Sequence, residues 1–341
     1  MAASDGVRSP GSIVQVKHSW LAEPDLTRWI DAAYGPSAGQ NCLLVSESLN
    51  QTYRLTGNGP AQYLRLSRAG TRTLDDVAGE AALVSYLHGR GLRVAAPVRR
   101  LDGGFAGEIV APEALRIAIL YGAATGDGVR DITPAHCRAY GRLAASIHAA
   151  ADMADGAFDR FALDTVHLIS EPLAAVQTRM EDEAPEDVAF LSEIAARITP
   201  RIDALPRTRA VIGICHGDLH PGNVRFDAGW EPTVFDFDCY GPGWRAYDLA
   251  VFLWNSYLER RSKAWRSLRW NAFLRGYREV RPMSAGEIEA VPLFLVARQI
   301  WLMGLDCEGK SGWLPQWIAA GWLRSMTGYI RAWVEEYPSL R

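Results

Sequence analysis

Residues 215–238 read CHGDLHPGNVRFDAGWEPTVFDFD. The first half places His216, Asp218, His220 and Asn223 in one short segment. The second half places Asp236 and Asp238 in an apolar run that reads as a buried strand. A carboxylate in such a run is costly unless something answers its charge. "AVIGIC" enters as a strand, Leu219 to Gly222 bend the chain, "NVRF" resumes extended, "DAGWEP" turns, and "TVFDFD" returns antiparallel. That strand–turn–strand brings Asn223 near Asp236, with Asp218 at the mouth of the same loop. Two carboxylates and an amide oxygen suit magnesium, which takes few protein ligands and completes its shell with water and phosphates. An unligated Asp is then left to orient a hydroxyl or accept its proton. This is the recurring layout for phosphoryl transfer from a nucleoside triphosphate.

The elements that must position this set begin upstream. "CLLVSES", "TYRLTGNG" and "QYLRLSR" alternate as three strands, with Gly57-Asn58-Gly59 as a turn. Thr73 caps a helix that carries Asp75 and Asp76 in its first turn, and Val77, Ala81, Val84 and Leu87 as its apolar stripe. Gly89 and Gly91 end it. "LRVAAPV" and "EALRIAILY" read as further strands, so the first 120 residues form a small, mostly antiparallel sheet with one helix. "GAATGDG" is a Gly-rich connector. Thr133-Pro134 opens a helix with Tyr140, Ala144 and Ile147 inward, and an acidic helical stretch follows over residues 171–198. From Tyr247 onward the pattern is helical. Ten of the twelve tryptophans lie after residue 200, giving the second half the bulkier interior. The expected division is a flexible tail over 1–12, an N-terminal nucleotide-binding lobe over 13–120, a hinge over 121–128, and a C-terminal catalytic and substrate lobe over 129–341.

A chain of 341 residues suits two packed lobes. A net charge of −3 argues against a nucleic-acid binder relying on bulk electrostatics. Five scattered cysteines with no CxxC pair argue against a disulfide framework or a zinc site and fit a reducing compartment. The N-terminus lacks the apolar core of a signal peptide. "VPLFLVARQIWLMGL" is interrupted by Arg298 and is short for a bilayer span. The expectation is a cytoplasmic protein without a membrane or nucleic-acid partner; nothing in the sequence reports the oligomeric state. "HGDLHPGN" also mimics metallophosphoesterase strings, but a two-metal hydrolase needs more histidines downstream, and His220 is the last one here. No P-loop is present.

His216-Gly217-Asp218, with Asn223 five positions on and Asp236 thirteen further, resembles the catalytic loop and metal motif of the aminoglycoside phosphotransferase family. That family includes choline kinase-like, fructosamine kinase-like and homoserine kinase-like enzymes, which are small-molecule relatives of the protein kinases. The resemblance implies an α+β, bilobal protein-kinase-like fold, with a small antiparallel sheet plus helix and a larger, mainly helical C-terminal lobe. It implies Asp218 as catalytic base, Asn223 and Asp236 as magnesium ligands, and Asp248 of "YGPGWRAYDLA" as the buried acid that braces the loop. His216 and Asp238 are implied as supporting residues.

The resemblance continues upstream. "LNQTYRL", with Asn50 and Tyr53, resembles the phosphate-covering turn, and "QYLRLSR" the strand that presents a lysine to the nucleotide. Here that position is Arg65, a planar fork rather than a point charge. Glu80 matches the helix acid that pairs with this cation, and contacts to the base are expected from backbone between Leu120 and Ala123. With "VAAPV" and "GRLAASIHA" the resemblance covers about residues 40–255. The implied function is magnesium-dependent transfer of the terminal phosphoryl group of ATP or GTP to a hydroxyl of a small-molecule metabolite or antibiotic. The alternatives are a protein Ser/Thr kinase of the bacterial stress-response type and a nucleotide-binding module impaired by Arg65.

Four further readings complete the set. His220 is expected to face solvent, with contact to substrate as the alternative, and His148 to pack within its helix. Trp301, Trp313, Trp317 and Trp322 are expected to pack helices, with a cation–π cage for a quaternary ammonium as the sharper alternative. "EDEAPED" reads as a solvated face.

Overall fold

The computed structural model describes residues 15–36, 41–57, 59–154, 158, 160–259, 261–310 and 317–341. The expected N-terminal tail, Asn58 and Trp313 lie outside the described residues.

The N-terminal part is a five-stranded antiparallel sheet in the order β1-β2-β3-β5-β4. Its strands are β1 (Asn41–Glu47), β2 (Asn50–Thr56), β3 (Gln62–Ser67), β4 (Ala106–Val110) and β5 (Leu115–Gly122). Helix α1 (Glu23–Tyr34), absent from the sequence reading, places Leu26 and Ile30 against Tyr53, Leu55 and Leu64 of the sheet. Helix α2 (Leu74–Gly89) starts at the expected cap: the Thr73 and Asp76 side chains each bond the other's backbone N–H. Its stripe of Val77, Ala81, Val84 and Leu87 is buried.

Residues 92–98 do not form the strand expected of them. Val94 bridges Val234 and Pro97 bridges Tyr121 in isolation, because a proline cannot donate to a ladder. The fifth strand is β4 instead.

The second part is mainly helical: α3 (Pro134–Asp152), α4 (Glu171–Met180), α5 (Pro185–Asp203), α6 (Arg245–Leu258), α7 (Lys263–Val280), α8 (Ala285–Cys307) and α9 (Ala320–Glu336). The acidic stretch is thus two helices, with Pro185 fixing the start of the second. Short strands β6 (Ile212–Cys215) and β9 (Gly241–Trp244) pair with each other, as do β7 (Val224–Phe226) and β8 (Pro232–Val234). Helix α3 lies against α7, where a Cβ on Gly276 would fall 1.9 Å from the Arg138 carbonyl oxygen, so only glycine permits the crossing. By length and composition α8 is apolar enough to cross a membrane, but 78% of that window is buried in this fold. It packs on α4, α6 and α9.

The β7–β8 hairpin is fastened at both edges. The Val234 N–H donates to the Arg93 carbonyl at 3.0 Å, and the Ala95 N–H to the Val234 carbonyl at 2.9 Å. On the other side Asp127 and Phe226 exchange two backbone bonds of 2.9 and 3.0 Å.

Candidate active site

The loop from His216 to Asn223 joins β6 to the hairpin. Gly217 has φ of +82°, and a Cβ there would sit 1.9 Å from the Cys239 carbonyl oxygen, so no other residue fits. Asp248, in the first turn of α6 and fully enclosed, accepts the N–H groups of His216 at 2.7 Å and Gly217 at 2.8 Å. His148 does more than pack within its helix. Its Nε2 lies 2.9 Å from Asp248 Oδ2 and its Nδ1 2.8 Å from the Tyr277 hydroxyl. His148, Cys215 and Asp248 offer atoms within 4.8 Å of one another. Because both His148 nitrogens and both Asp248 oxygens are already bonded, this is a brace rather than a metal centre.

The His216 ring ties backbone to backbone. Its Nδ1 accepts the Asp218 N–H at 3.2 Å, which leaves Nε2–H to donate to the Phe235 carbonyl at 3.1 Å. Burial holds its pKa below the usual imidazole value.

Asp218 and Asn223 meet directly: Asn223 Nδ2 donates to the Asp218 carbonyl and to Oδ2, both at 3.0 Å. Asp218 Oδ1 pairs with Arg298 of α8. His220 is half-buried rather than facing solvent outright. Its Nδ1 accepts the Gly222 N–H at 3.0 Å, and its Nε2 lies 3.5 Å from Asp218 Oδ2. Burial works to raise the Asp218 carboxyl, but Arg298, and behind it His220, hold it far below the usual carboxylate range.

Strand β8 stops at Val234, so neither Asp236 nor Asp238 sits on a strand. Asp236 adopts φ of 67°, in the left-handed region, which breaks the ladder and turns the chain. The Phe235 N–H bonds the Asn223 carbonyl at 3.1 Å, which brings Asp236 beside Asn223. The Asp236 carboxylate is 42% exposed, and Arg65 Nη1 stands 3.4 Å from it. Partial loss of solvation, and then repulsion from Asp238, Asp218 and Glu80, push its pKa up to about 6 against the pull of Arg65. Since water reaches this side chain, the repulsion is the share of that rise that a bound cation would relieve.

Asp238 is buried and joins the two parts of the molecule. It accepts from Asn50 Nδ2 at 3.1 Å and from Arg72 Nε and Nη2 at 3.0 and 2.9 Å. Burial opposes its ionisation, but Arg72 and then Arg65 hold its pKa well below the ordinary value. Arg160 reaches the Asp238 carbonyl and, 3.0 Å away, Asp76. Arg65 grips Glu80 with both terminal nitrogens, one of them at 2.7 Å, and the Tyr121 hydroxyl donates to the same carboxylate at 2.7 Å.

Leu120 does not offer its backbone to a ligand. It is 1% exposed, its N–H donates to the Tyr34 hydroxyl at 3.2 Å, and its carbonyl accepts from Val98 at 2.8 Å. Ala123 is exposed, with its N–H on the Ala61 carbonyl at 3.1 Å.

The model of the Phosphotransferase enzyme family matches residues 42–283. The chain belongs to that family. It is an enzyme that transfers phosphoryl groups to hydroxyl acceptors. A homoserine kinase of Sinorhizobium fredii is 31% identical over 67% of this chain and 70% of that one. Two solved structures share the bilobal kinase-like fold. One is an amicoumacin kinase in complex with AMP-PNP, Ca2+ and Ami, with TM-score 0.75, 20% identity and 93% of each chain covered. The other is a microcompartment-associated aminopropanol kinase, with TM-score 0.72, 20% identity, and 93% of this chain and 99% of that one covered.

The residues of the enzyme fit the magnesium that the family implies. The donors are all oxygen, Asp236 is open and repelled by its neighbours, and the Asn223 amide nitrogen is already spent on Asp218. Sequence reasoning missed Arg72, Arg160 and Arg298. The available signal for the last was a lone cation in an apolar helical run. Its guanidinium lies 5.3 Å from the Trp254 ring and 4.6 Å from the Trp301 ring, so Trp301 already holds the chain's own cation, not a cage for a foreign one.

Proposed function

We propose that the enzyme uses magnesium and ATP to phosphorylate a hydroxyl of a small amine-bearing metabolite, of the amino alcohol or hydroxy amino acid class. The observation that carries this reading is the clustering of Asp218, Asn223 and Asp236, with Arg65 of the Arg65–Glu80 pair 3.4 Å from Asp236. Asp218 orients the acceptor hydroxyl and takes its proton. Asn223 and Asp236 hold magnesium, which supplies charge neutralisation on the phosphates when bound. Arg65, set by Glu80, and the Asn50 turn hold the phosphates. Nucleotide lies between residues 13–120 and 129–341, hinged over 121–128, with base contacts from the exposed end of that connector at Ala123. Homoserine kinases among the relatives and an aminopropanol kinase among the folds support the acceptor class.

The test is a screen for nucleotide consumption over amino alcohols, hydroxy amino acids, sugars and aminoglycosides, each with ATP and with GTP. ADP release that depends on an amino alcohol or hydroxy amino acid is expected. Turnover confined to aminoglycosides or sugars would overturn the acceptor class.

A further inference from the structure

Arg298 is the one charged side chain in the inner run of α8 from Ala290 to Met303, and it is 3% exposed. A buried guanidinium is unfavourable unless its charge and its N–H groups are answered. Here the answer is Asp218: Nη2 pairs with Oδ1. The remaining contacts are weaker. Nη1 stands 3.4 Å from both the Gly217 carbonyl and the Tyr247 hydroxyl. Nε is buried and has no hydrogen-bond partner. The guanidinium carbon lies 5.3 Å from the Trp254 ring and 4.6 Å from the Trp301 ring, and Trp254 is itself held by a 2.9 Å bond from Nε1 to Gln299 Oε1. The strong polar contact of the cation is therefore the Asp218 carboxylate.

The two oxygens of that carboxylate are not equivalent. Oδ1 is held by Arg298 from the α8 side. Oδ2 faces Asn223 Nδ2 at 3.0 Å and His220 Nε2 at 3.5 Å, on the side where Asn223 leads to Asp236. We propose that Arg298 is a positioning residue for phosphoryl transfer: by holding Oδ1 it presents Oδ2 to the acceptor hydroxyl. The inference rests on the reading of Asp218 given above. Without Arg298 the carboxylate is held through Oδ2 alone, by Asn223 and His220, and turns about that contact, so both substrates still bind but the hydroxyl is misaimed.

The test compares R298M and R298K in the native background, and R298M in a D218N background, by steady-state turnover and by calorimetric titration with MgATP. In R298M, kcat is expected to fall about 100-fold, the scale of a misplaced reacting group, with acceptor KM and MgATP affinity within about threefold. R298K supplies charge without the fork and should lose about tenfold in kcat. If Arg298 acts through Asp218, R298M in the D218N background should cost less than about threefold more. An equal loss in both backgrounds, or a loss of MgATP affinity that tracks the loss of kcat, overturns the inference. Should R298M fail to fold, R298K decides alone: kcat unchanged overturns the proposal. A D218N enzyme reduced to its residual rate beside fully active R298K and R298M overturns this inference only. Near-native turnover by D218N overturns the reading of Asp218 and this inference with it.

Discussion

Arg65 holds Glu80 through both ends of its guanidinium fork, deep between β3 and α2. A lysine in that place would reach one carboxylate oxygen, not two. Removing one member of a buried ion pair strands the other charge, so Glu80→Ala should destabilise the fold by about 3–5 kcal/mol. Arg65→Lys keeps a cation and should cost about 1 kcal/mol for the lost bond, with a severalfold rise in the KM for MgATP. Urea unfolding and steady-state kinetics on the two variants give both numbers. An Arg65→Lys enzyme as stable as the native one would mean that the fork geometry contributes nothing.

Asp236 and Asp218 should fail differently. Asp218→Asn should lower turnover by about 10²–10⁴-fold, to a residual rate that is still measurable, and leave MgATP binding intact, whereas Asp236→Ala should lose the magnesium-dependent part of that binding. Calorimetry with and without magnesium separates the two. Asp236 also sets a pH dependence. Its pKa sits at about 6, so the folded enzyme should bind MgATP with an affinity that is flat above neutrality and falls as pH drops through 6. An affinity constant from pH 8 to pH 5 would remove Asp236 from the metal site.

Asp248 accepts three hydrogen bonds in full burial, two of them from the backbone of the loop from His216 to Asn223. Asp248→Asn turns an NH2 group against one of those donors. Leaving a buried donor unanswered costs about 1–3 kcal/mol, and the loop loses its seat. A fall in kcat of at least about tenfold is expected, since small misplacements of reacting groups are expensive. Chemical denaturation and turnover on the same preparation check it.

His167 offers a test of stability against pH. Its ring stacks on Phe161 with centroids 4.4 Å apart, and its Nε2 is buried without a partner. Burial, and then the Arg72 charge, lower its pKa from 6.5 to about 4. Between those values the unfolded chain binds a proton that the folded chain refuses, so stability present above pH 6.5 is lost progressively toward pH 4. The full effect is about 3 kcal/mol. His167→Phe should flatten that limb of the stability profile, as thermal unfolding across the range would read.

The meeting of Asp218 with Asn223 was legible because the two are close in sequence and follow a motif with a chemical reason. Asp218 and Asn223 are five residues apart and touch; Thr73 caps α2 within one turn; Glu80 lies on the inward stripe and so needed a cation. The residues that were not legible meet across long separations with no local period to announce them. Arg298 reaches back 80 positions to Asp218, and Arg72 reaches 166 forward to Asp238. Helix α1 and strand β4 were missed for a related reason. Their apolar residues face a sheet whose order is not written in any one segment. His220 was misjudged because only the bond from the Gly222 N–H to its Nδ1 fixes which way the ring turns.

The hairpin that carries Asn223 toward Asp236 is stitched on one edge to Arg93 and Ala95, just past α2, and on the other to Asp127 in the connector. It therefore belongs wholly to neither half of the molecule. Any displacement of the sheet relative to the helices must load the hairpin that carries Asn223, so under the function proposed above nucleotide entry and magnesium binding would share one mechanical tether.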